Sequence, residues 1–301
     1  MQFSEASQLW LEYLEAVGRA PVTIQSYGER LGWFGRQFGG RAVGDVTSFE
    51  ADKWLLGLRR QVGRWVGHPY TPADGEKLSA TTINNRAQAV QRLYKFLVTR
   101  GVVAHSPVAH WRLAKPKVGR PKHVEQDDMR LLVRAARGRA ARGQGRDVAL
   151  FHFMLDTGCR AGEVASALLK DWDGVGSVWV VGKTGGRLVF VKPSTALLIN
   201  QWLVDAPQSA WLFCGLHLAR GQQMTINSIY LTYKRRANDA GVSGRRNPHG
   251  VRHLVGVEAV RQFGLRDAQL LLGHDDINST IIYAGVDEQR QREVVNTLFV
   301  L

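Results

Sequence analysis

A short basic stretch that contains two prolines divides the sequence into two parts. Residues 112–124 read RLAKPKVGRPKHV and interrupt the apolar periodicity of the segments on either side. Because proline lacks a backbone N–H and fixes its own backbone, it ends helices and is excluded from central strands, so this composition is typical of a linker. The sequence therefore predicts two domains, residues 1–112 and 123–301, joined by a linker at residues 113–122.

The positive charge of the chain indicates an anionic binding partner. The 301 residues include 40 Lys and Arg against 26 Asp and Glu, which gives a formal net charge of +14, and residues 113–122 alone carry 4 basic and no acidic side chains. Such an excess favours a polyanion, of which nucleic acid is the most common. Two readings stay open at this point. Either the protein is simply basic and the linker is a solvated hinge, or the linker crosses a phosphate backbone.

The sequence does not indicate a membrane protein or a disulfide-rich secreted protein. No apolar run reaches the ~18 residues of a membrane span, and the N-terminal MQFSEASQLW lacks the basic start of a secretory signal. Cys159 and Cys214 are too few for a disulfide framework and lack the spacing of metal ligands. We therefore expect a cytoplasmic protein with reduced cysteines.

Apolar residues recur at helical spacing through most of the chain. In the first domain Thr23 is a candidate N-cap, and Thr47 with Glu50 forms a capping box at the start of another helix. The period changes in SVWVVGKTGGRLVFVK, residues 177–192, where two β-branched and aromatic runs predict a hairpin with Lys183 at its tip. The predicted fold class is mainly α with a small antiparallel sheet, as a helical first domain and a mixed α/β second domain.

The motif PHGVRH, residues 248–253, places two histidines and an arginine close together. His249 and His253 could share one helix face as metal ligands do, but the zinc protease pattern also needs a Glu after the first His, and Gly250 stands there. The alternative is an anion site in which Arg252 binds a phosphate while a histidine moves a proton.

Other motifs of the second domain supply further reactive groups. TGCRAGEV places Arg160 at the start of a predicted helix, where the helix terminus and the guanidinium both favour an anion, with Glu163 three residues on. LGHDDINSTIIYAG supplies His274 and Tyr283. Together with Lys183 and HxxRH, this series resembles the catalytic signature of the tyrosine recombinase family, which includes phage integrases and Xer-like enzymes.

The resemblance covers most of the chain. All six catalytic residue types occur in the family's order, and SATTINNRAQAVQRLYKFLVTRGVVAHSPV in the first domain is similar to the helical core-binding domain of these enzymes. Leu254 stands where the family often has Ser or Thr, and Val251 replaces a more common Leu. Neither residue is a reacting group, so we expect local repacking without loss of chemistry.

The resemblance implies a reaction and a role for each group. DNA strands are broken and rejoined through a 3′-phosphotyrosine and a Holliday junction, without metal or cofactor. Arg160 and Arg252 neutralise the phosphate, and Tyr283 attacks it with help from His249 as base, because a phenol with a pKa of about 10 is mostly protonated. Lys183 is the general acid. The implied catalytic set is Arg160, Lys183, His249, Arg252, His274 and Tyr283, with Glu163 and His253 in supporting roles.

The implied partner is double-stranded DNA that carries specific recombination sites. The enzyme is expected to act as a homo-oligomer, a tetramer on DNA, in integration, transposition or resolution of mobile or replicon DNA. Accessory proteins cannot be named from the sequence. The basic residues predicted to contact DNA are Lys115, Lys117, Arg120, Lys122, Arg245 and Arg246.

Three alternatives compete with this interpretation. Tyr230 and Tyr233 in IYLTYKRR are other candidate nucleophiles, although their amphipathic pattern predicts Tyr230 in the core and the basic residues after Tyr233 on the DNA backbone. A type IB topoisomerase-like enzyme would nick and reseal DNA with the same residue types. A catalytically silent DNA-binding scaffold is the third alternative, and the complete catalytic set argues against it.

Overall fold

The chain divides into two compact units, Met1–Val118 and Gly119–Leu301. The computed structural model describes residues 1–63, 75–114, 123–140, 145–182, 185–244 and 246–273. Most of the predicted linker therefore lies outside the described residues, and its bounds stay a prediction. None of the described helices is long and apolar enough to cross a membrane.

The first unit is built from helices. Trp10, Phe34 and Leu93 lie on the buried stripes of three amphipathic helices. Phe34 is at the centre of the core, with its ring centroid 5.0 Å from that of Phe3 and 4.9 Å from that of Trp54. The helices are α1 (Phe3–Ala16), α2 (Pro21–Phe38), α3 (Ser48–Arg60) and α4 (Ala80–Thr99).

Of two helix starts predicted from N-cap residues, one is confirmed and one is wrong. Thr47 Oγ1 accepts a hydrogen bond from the Glu50 backbone N at 3.3 Å, and Glu50 Oε2 accepts one from Thr47 N at 3.1 Å, so the predicted capping box of α3 is confirmed. The prediction that Thr23 caps α2 is wrong, because α2 begins at Pro21. Proline at the first turn of a helix loses no hydrogen bond, since that N–H has no intrahelical partner.

The second unit is mainly helical with one small antiparallel strand pair in its described part, as predicted. Helix α6 (Arg146–Thr157) lies at the centre of the core, where Leu150, Phe151 and Phe153 are fully buried. The strands pair from Ser177 with Phe190 to Gly182 with Gly185. The elements are α5 (Gln126–Ala140), α6 (Arg146–Thr157), α7 (Ala161–Ala165), β1 (Ser177–Gly182), β2 (Gly185–Phe190), α8 (Pro193–Asp205), α9 (Ile226–Asp239), α10 (Pro248–Phe263) and α11 (Leu265–Leu272).

Helix α9 corrects the prediction for Tyr230 and, at one residue, the prediction for the basic residues after Tyr233. Tyr230 is 38% exposed, whereas Tyr233 is fully buried, so the tyrosine in the core is Tyr233. Arg236 is also buried, with Nε 3.1 Å from Asp147 Oδ2 and Nη1 2.5 Å from Asp239 Oδ2. Arg236 pairs with carboxylates of its own unit, so the predicted contact to the DNA backbone is wrong for this residue. Lys234 and Arg235 are exposed, and their predicted contacts stay predictions.

Candidate active site

A buried carboxylate brings three arginines together. Glu163, the third residue of α7, is 4% exposed. Its Oε1 lies 3.1 Å from Arg160 Nη1, and its Oε2 lies 3.3 Å from Arg187 Nη2 and 4.0 Å from Arg252 Nη1. The three guanidinium groups outnumber the carboxylate, so the cluster carries a net positive charge that suits an anionic ligand.

The charge state of Glu163 follows from these neighbours. Burial raises the pKa of its carboxyl, but the backbone hydrogen bond from Arg160 and the charges of Arg187, Arg252 and Arg160 outweigh burial and leave the pKa below its ordinary value. Glu163 is therefore an anion at neutral pH, and it can orient guanidinium groups without taking part in proton transfer.

The N-terminus of α7 contributes less than the sequence suggested. The helix has only 5 residues, and the backbone N–H of Arg160 donates to Glu163 Oε2 at 2.8 Å. Because a dipole effect needs aligned peptides and free N–H groups, attraction for an anion comes here from the side chain of Arg160, which is 41% exposed.

Arg252 holds two helix ends from a buried position. Its side chain is 2% exposed, with Nη1 donating to the Gly158 carbonyl at 2.7 Å and Nη2 to the Leu272 carbonyl at 2.8 Å. Gly158 follows the last residue of α6, and Leu272 is the last residue of α11. The carbonyls at a helix C-terminus have no partner within the helix, so Arg252 both satisfies them and complements the helix dipoles.

The two histidines of PHGVRH lie at the start of α10. Asn247 caps this helix by accepting a hydrogen bond from Gly250 N at 2.7 Å, and Pro248 occupies its first position. The rings of His249 and His253 meet edge to face, with centroids 4.2 Å apart. His249 is exposed, whereas His253 is 9% exposed. His249 is therefore the one of the two that an incoming ligand can reach.

Arg187 belongs to this cluster, although it stands in none of the sequence motifs described above. It lies on β2 directly opposite Val180, and its Nη1 donates to the Leu271 carbonyl at 3.0 Å. The available signal was strand alternation, because Val180 and Val189 are buried on one face of the hairpin while Leu188 is exposed on the other. A charged residue at an inward position of a strand indicates a buried partner.

The end of strand β1 packs against the same carboxylate. A side chain at Gly182 would have its Cβ only 2.8 Å from Glu163 Oε1, so the close approach of strand and carboxylate requires glycine at this position. Ser166 Oγ, just after α7, also donates to the Val181 carbonyl at 3.0 Å. The strand thus reaches the arginine cluster one residue before Lys183.

Two other candidate nucleophiles of the second unit are not reactive. Cys159 is buried, and burial raises the pKa of its thiol to about 11, so it is protonated at neutral pH. Tyr233 is buried with its hydroxyl 3.5 Å from Met154 Sδ, and burial raises its pKa. Neither the Cys159 thiol nor the Tyr233 phenol can act as a nucleophile from these positions.

Comparison with known proteins decides what kind of site this is. Residues 122–290 match the phage integrase family. The chain belongs to that family. Its relatives include the tyrosine recombinase XerC of Chromobacterium violaceum, which is 26% identical over 96% of this chain and 93% of that protein. The XerC of Xanthomonas axonopodis pv. citri is 31% identical over 72% of this chain and 71% of its own length.

The fold of this phage integrase family member agrees with its sequence. The crystal structure of a lambda integrase tetramer bound to a Holliday junction superposes with a TM-score of 0.73 over 94% of this chain and 77% of that one, at 16% identity. The protein is therefore a tyrosine recombinase that cleaves and rejoins DNA strands in site-specific recombination. The topoisomerase and scaffold alternatives are not favoured.

The described residues contain part of the predicted site. Arg160, Glu163 and Arg252 meet at one place, and His249 and His253 lie on the helix that carries Arg252. Arg246 is half-buried, with Nη1 2.5 Å from the Val242 carbonyl. The other predicted residues lie outside the described part of the chain, and their roles stay predictions: Lys183, His274, Tyr283, Lys115, Lys117, Arg120, Lys122 and Arg245.

Proposed function

We propose that the scissile phosphate of a specific recombination site binds over the arginine cluster and is attacked by Tyr283. The observation that carries this proposal is the contact of one buried carboxylate, Glu163, with Arg160 and Arg187, and its closeness to Arg252. Arg160 is the accessible member and meets the phosphate directly. Arg252 adds its charge from a position that two backbone carbonyls already fix, so little reorganisation is needed when charge develops.

The proposed step is a transesterification at phosphorus. The Tyr283 oxygen forms a bond to phosphorus while the bond from phosphorus to the 5′-oxygen breaks, which leaves a 3′-phosphotyrosine and a free 5′-hydroxyl. The phenol proton passes to a base, and the leaving 5′-oxygen gains a proton from an acid. Rejoining reverses these transfers with a 5′-hydroxyl as nucleophile. The energy of the broken bond stays in the phosphotyrosine, so no nucleotide cofactor is consumed.

Proton transfer is assigned to residues around the phosphate. His249 is the proposed base because it is the exposed histidine on α10 and lies one helical turn from Arg252. Lys183 is the proposed acid, since it directly follows the strand end that packs against Glu163. His274 is proposed to hydrogen-bond the phosphate, and His253 to support His249 through their ring contact.

The partner is proposed to be duplex DNA, held at its phosphates by further basic residues outside the arginine cluster. Because these contacts pair basic side chains with phosphates, binding is expected to weaken steeply as the salt concentration rises. The neighbour described above is a tetramer on a Holliday junction, and this supports a tetramer of the present chain on paired sites. The proposed phosphate contacts are Lys115, Lys117, Arg120, Lys122, Arg245 and Arg246.

Covalent trapping tests the proposed function. A duplex sequence is first selected by binding of the full chain from a random library, and a nick is then placed next to each possible cleavage position. We expect a covalent adduct without divalent metal, in the presence of a chelator, that retains label on the 5′ side of the break and leaves a 5′-hydroxyl on the other fragment. An adduct to a 5′-phosphate, or no adduct from a duplex that is bound, would contradict the proposal.

A further inference from the structure

We propose that Arg187 is a positioning residue for strand cleavage, fixing both Glu163 and the C-terminal end of α11, from which the chain continues to His274. This inference rests on the proposed function, because it concerns how the groups of that site are held. Nothing in the catalytic signature identifies Arg187. Its contacts and its packing carry the argument.

The guanidinium of Arg187 joins three separate segments. Its Nη1 donates to the Leu271 carbonyl at 3.0 Å, and its Nη2 lies 3.3 Å from Glu163 Oε2 and 3.5 Å from Cys159 Sγ. A planar fork can hold a carboxylate and a carbonyl at once, which a flexible ammonium cannot do with the same geometry. Arg187 therefore fixes strand β2, the start of α7 and the end of α11 relative to one another.

Two arginines share the C-terminus of α11. Arg187 binds the carbonyl of Leu271 while Arg252 binds the carbonyl of Leu272, the next residue. These carbonyls lack helical partners and lie at the negative end of the helix dipole, so both contacts are favourable. Glu163 lies beside both guanidinium groups. A displacement of Arg187 would therefore also shift Arg252, through the shared carboxylate and through the shared end of α11.

The packing of Arg187 explains the glycine that precedes His274. Gly273 has a positive φ of 61°, and a Cβ built on it would lie 2.5 Å from Arg187 Cδ and 2.7 Å from Nε. The aliphatic stem of Arg187 thus lies directly against the backbone of Gly273. Gly273, which precedes His274 in the sequence, therefore lies on a surface that Arg187 forms.

Arg187 acts on the reaction through these neighbours rather than by contact with DNA. Its side chain is 21% exposed, and both Nη atoms already face acceptors within the protein. Its Nε is buried. Arg160, by contrast, is 41% exposed. Arg160 therefore contacts the ligand, whereas Arg187 holds Glu163 and the C-terminal end of α11 in position.

The test compares Arg187→Gln and Arg187→Lys with wild type in the full chain. The probe is the nicked duplex selected as described above, and the measurements are the single-turnover cleavage rate at saturating protein and the protein concentration for half-saturation. We expect Arg187→Gln to slow cleavage by about 100-fold, since a misplacement near 1 Å has effects of this order, without an equivalent change in half-saturation. Arg187→Lys should recover part of the rate, because it keeps the charge and loses the fork.

Control variants separate the possible outcomes. Arg261→Gln removes an arginine that is 57% exposed and paired with Glu258 on the same unit, and it should cleave within about 2-fold of wild type. Thermal unfolding is followed for each variant to show that it is folded. If Arg187→Gln does not fold, the cleavage rate and half-saturation of Arg187→Lys test the inference instead. A folded Arg187 variant that cleaves at the wild-type rate, or that loses only binding, would overturn the inference. Failure of wild type to form any adduct would instead overturn the proposed function.

Discussion

Replacing Tyr283 with phenylalanine is expected to abolish the covalent adduct while leaving DNA binding intact. The substitution removes only the hydroxyl oxygen that forms the bond to phosphorus, so no residual phosphotyrosine can arise, and we expect a loss of at least ~10³-fold in single-turnover cleavage. Binding should persist because it depends on the arginine cluster and on the basic residues proposed to contact phosphates. The measurements are a denaturing gel for the adduct and a native gel for the complex, on the same nicked duplex.

Tyr230→Phe is the matched control for this prediction. Tyr230 lies in the same unit and is 38% exposed, so it is accessible to solvent but has no place in the proposed reaction. Its variant should form the adduct at the wild-type rate. Tyr233 is too buried to be an alternative. An adduct that survives in Tyr283→Phe and disappears in Tyr230→Phe would mean that the nucleophile is on α9.

Replacing Glu163 with glutamine is expected to damage both cleavage and stability. The amide keeps the shape of the carboxylate but loses the charge that offsets three guanidinium groups, and its NH₂ would face other donors. We expect cleavage to fall by about 100-fold through misplacement of Arg160 and Arg252. The free energy of unfolding should fall by ~2–3 kcal/mol, because the clustered guanidinium groups lose the buried carboxylate that offsets their charge.

The stability difference between wild type and Glu163→Gln is expected to depend on pH in a defined direction. The pKa of Glu163 is lower in the folded protein than in the unfolded chain, so its stabilising contribution is complete above the unfolded-state pKa and is lost as pH falls through the folded-state pKa. Urea unfolding should therefore show the largest difference between wild type and Glu163→Gln near neutral pH, and a smaller one in acid. Glu258→Gln, in a partly exposed pair with Arg261, should change stability by less than about 1 kcal/mol. A difference that grows in acid would contradict the account.

The sequence predicted the elements of the fold because their signals are local. The capping box of Thr47 and Glu50 acts within one helical turn, and the alternation of β-branched residues marks the hairpin. The face of α9 was misassigned because its buried stripe contains Arg236, whose partner Asp147 lies on α6. A charge that is neutralised by a distant residue looks like a solvent-exposed charge when the sequence is considered alone.

The candidate site was predicted as a set of residue types and not as a geometry. The motifs located Arg160, His249 and Arg252, since each stands in a recognisable short pattern. They did not indicate that Arg252 would be 2% exposed and bound to carbonyls from two helices, because those carbonyls belong to Gly158 and Leu272, far apart in the chain. Arg187 was missed for the same reason, as its acceptors come from α7 and α11.

Identification of the residue that becomes linked to DNA tests the central claim most directly. The trapped adduct is digested with nuclease and trypsin, and the peptide that carries the residual nucleotide is sequenced by mass spectrometry. The tryptic peptide of residues 267–290 contains Tyr283 and no other tyrosine, whereas residues 221–234 contain Tyr230 and Tyr233. We predict the nucleotide on Tyr283 through a 3′-phosphate. A nucleotide on the peptide 221–234, or on any side chain other than Tyr283, would contradict the account.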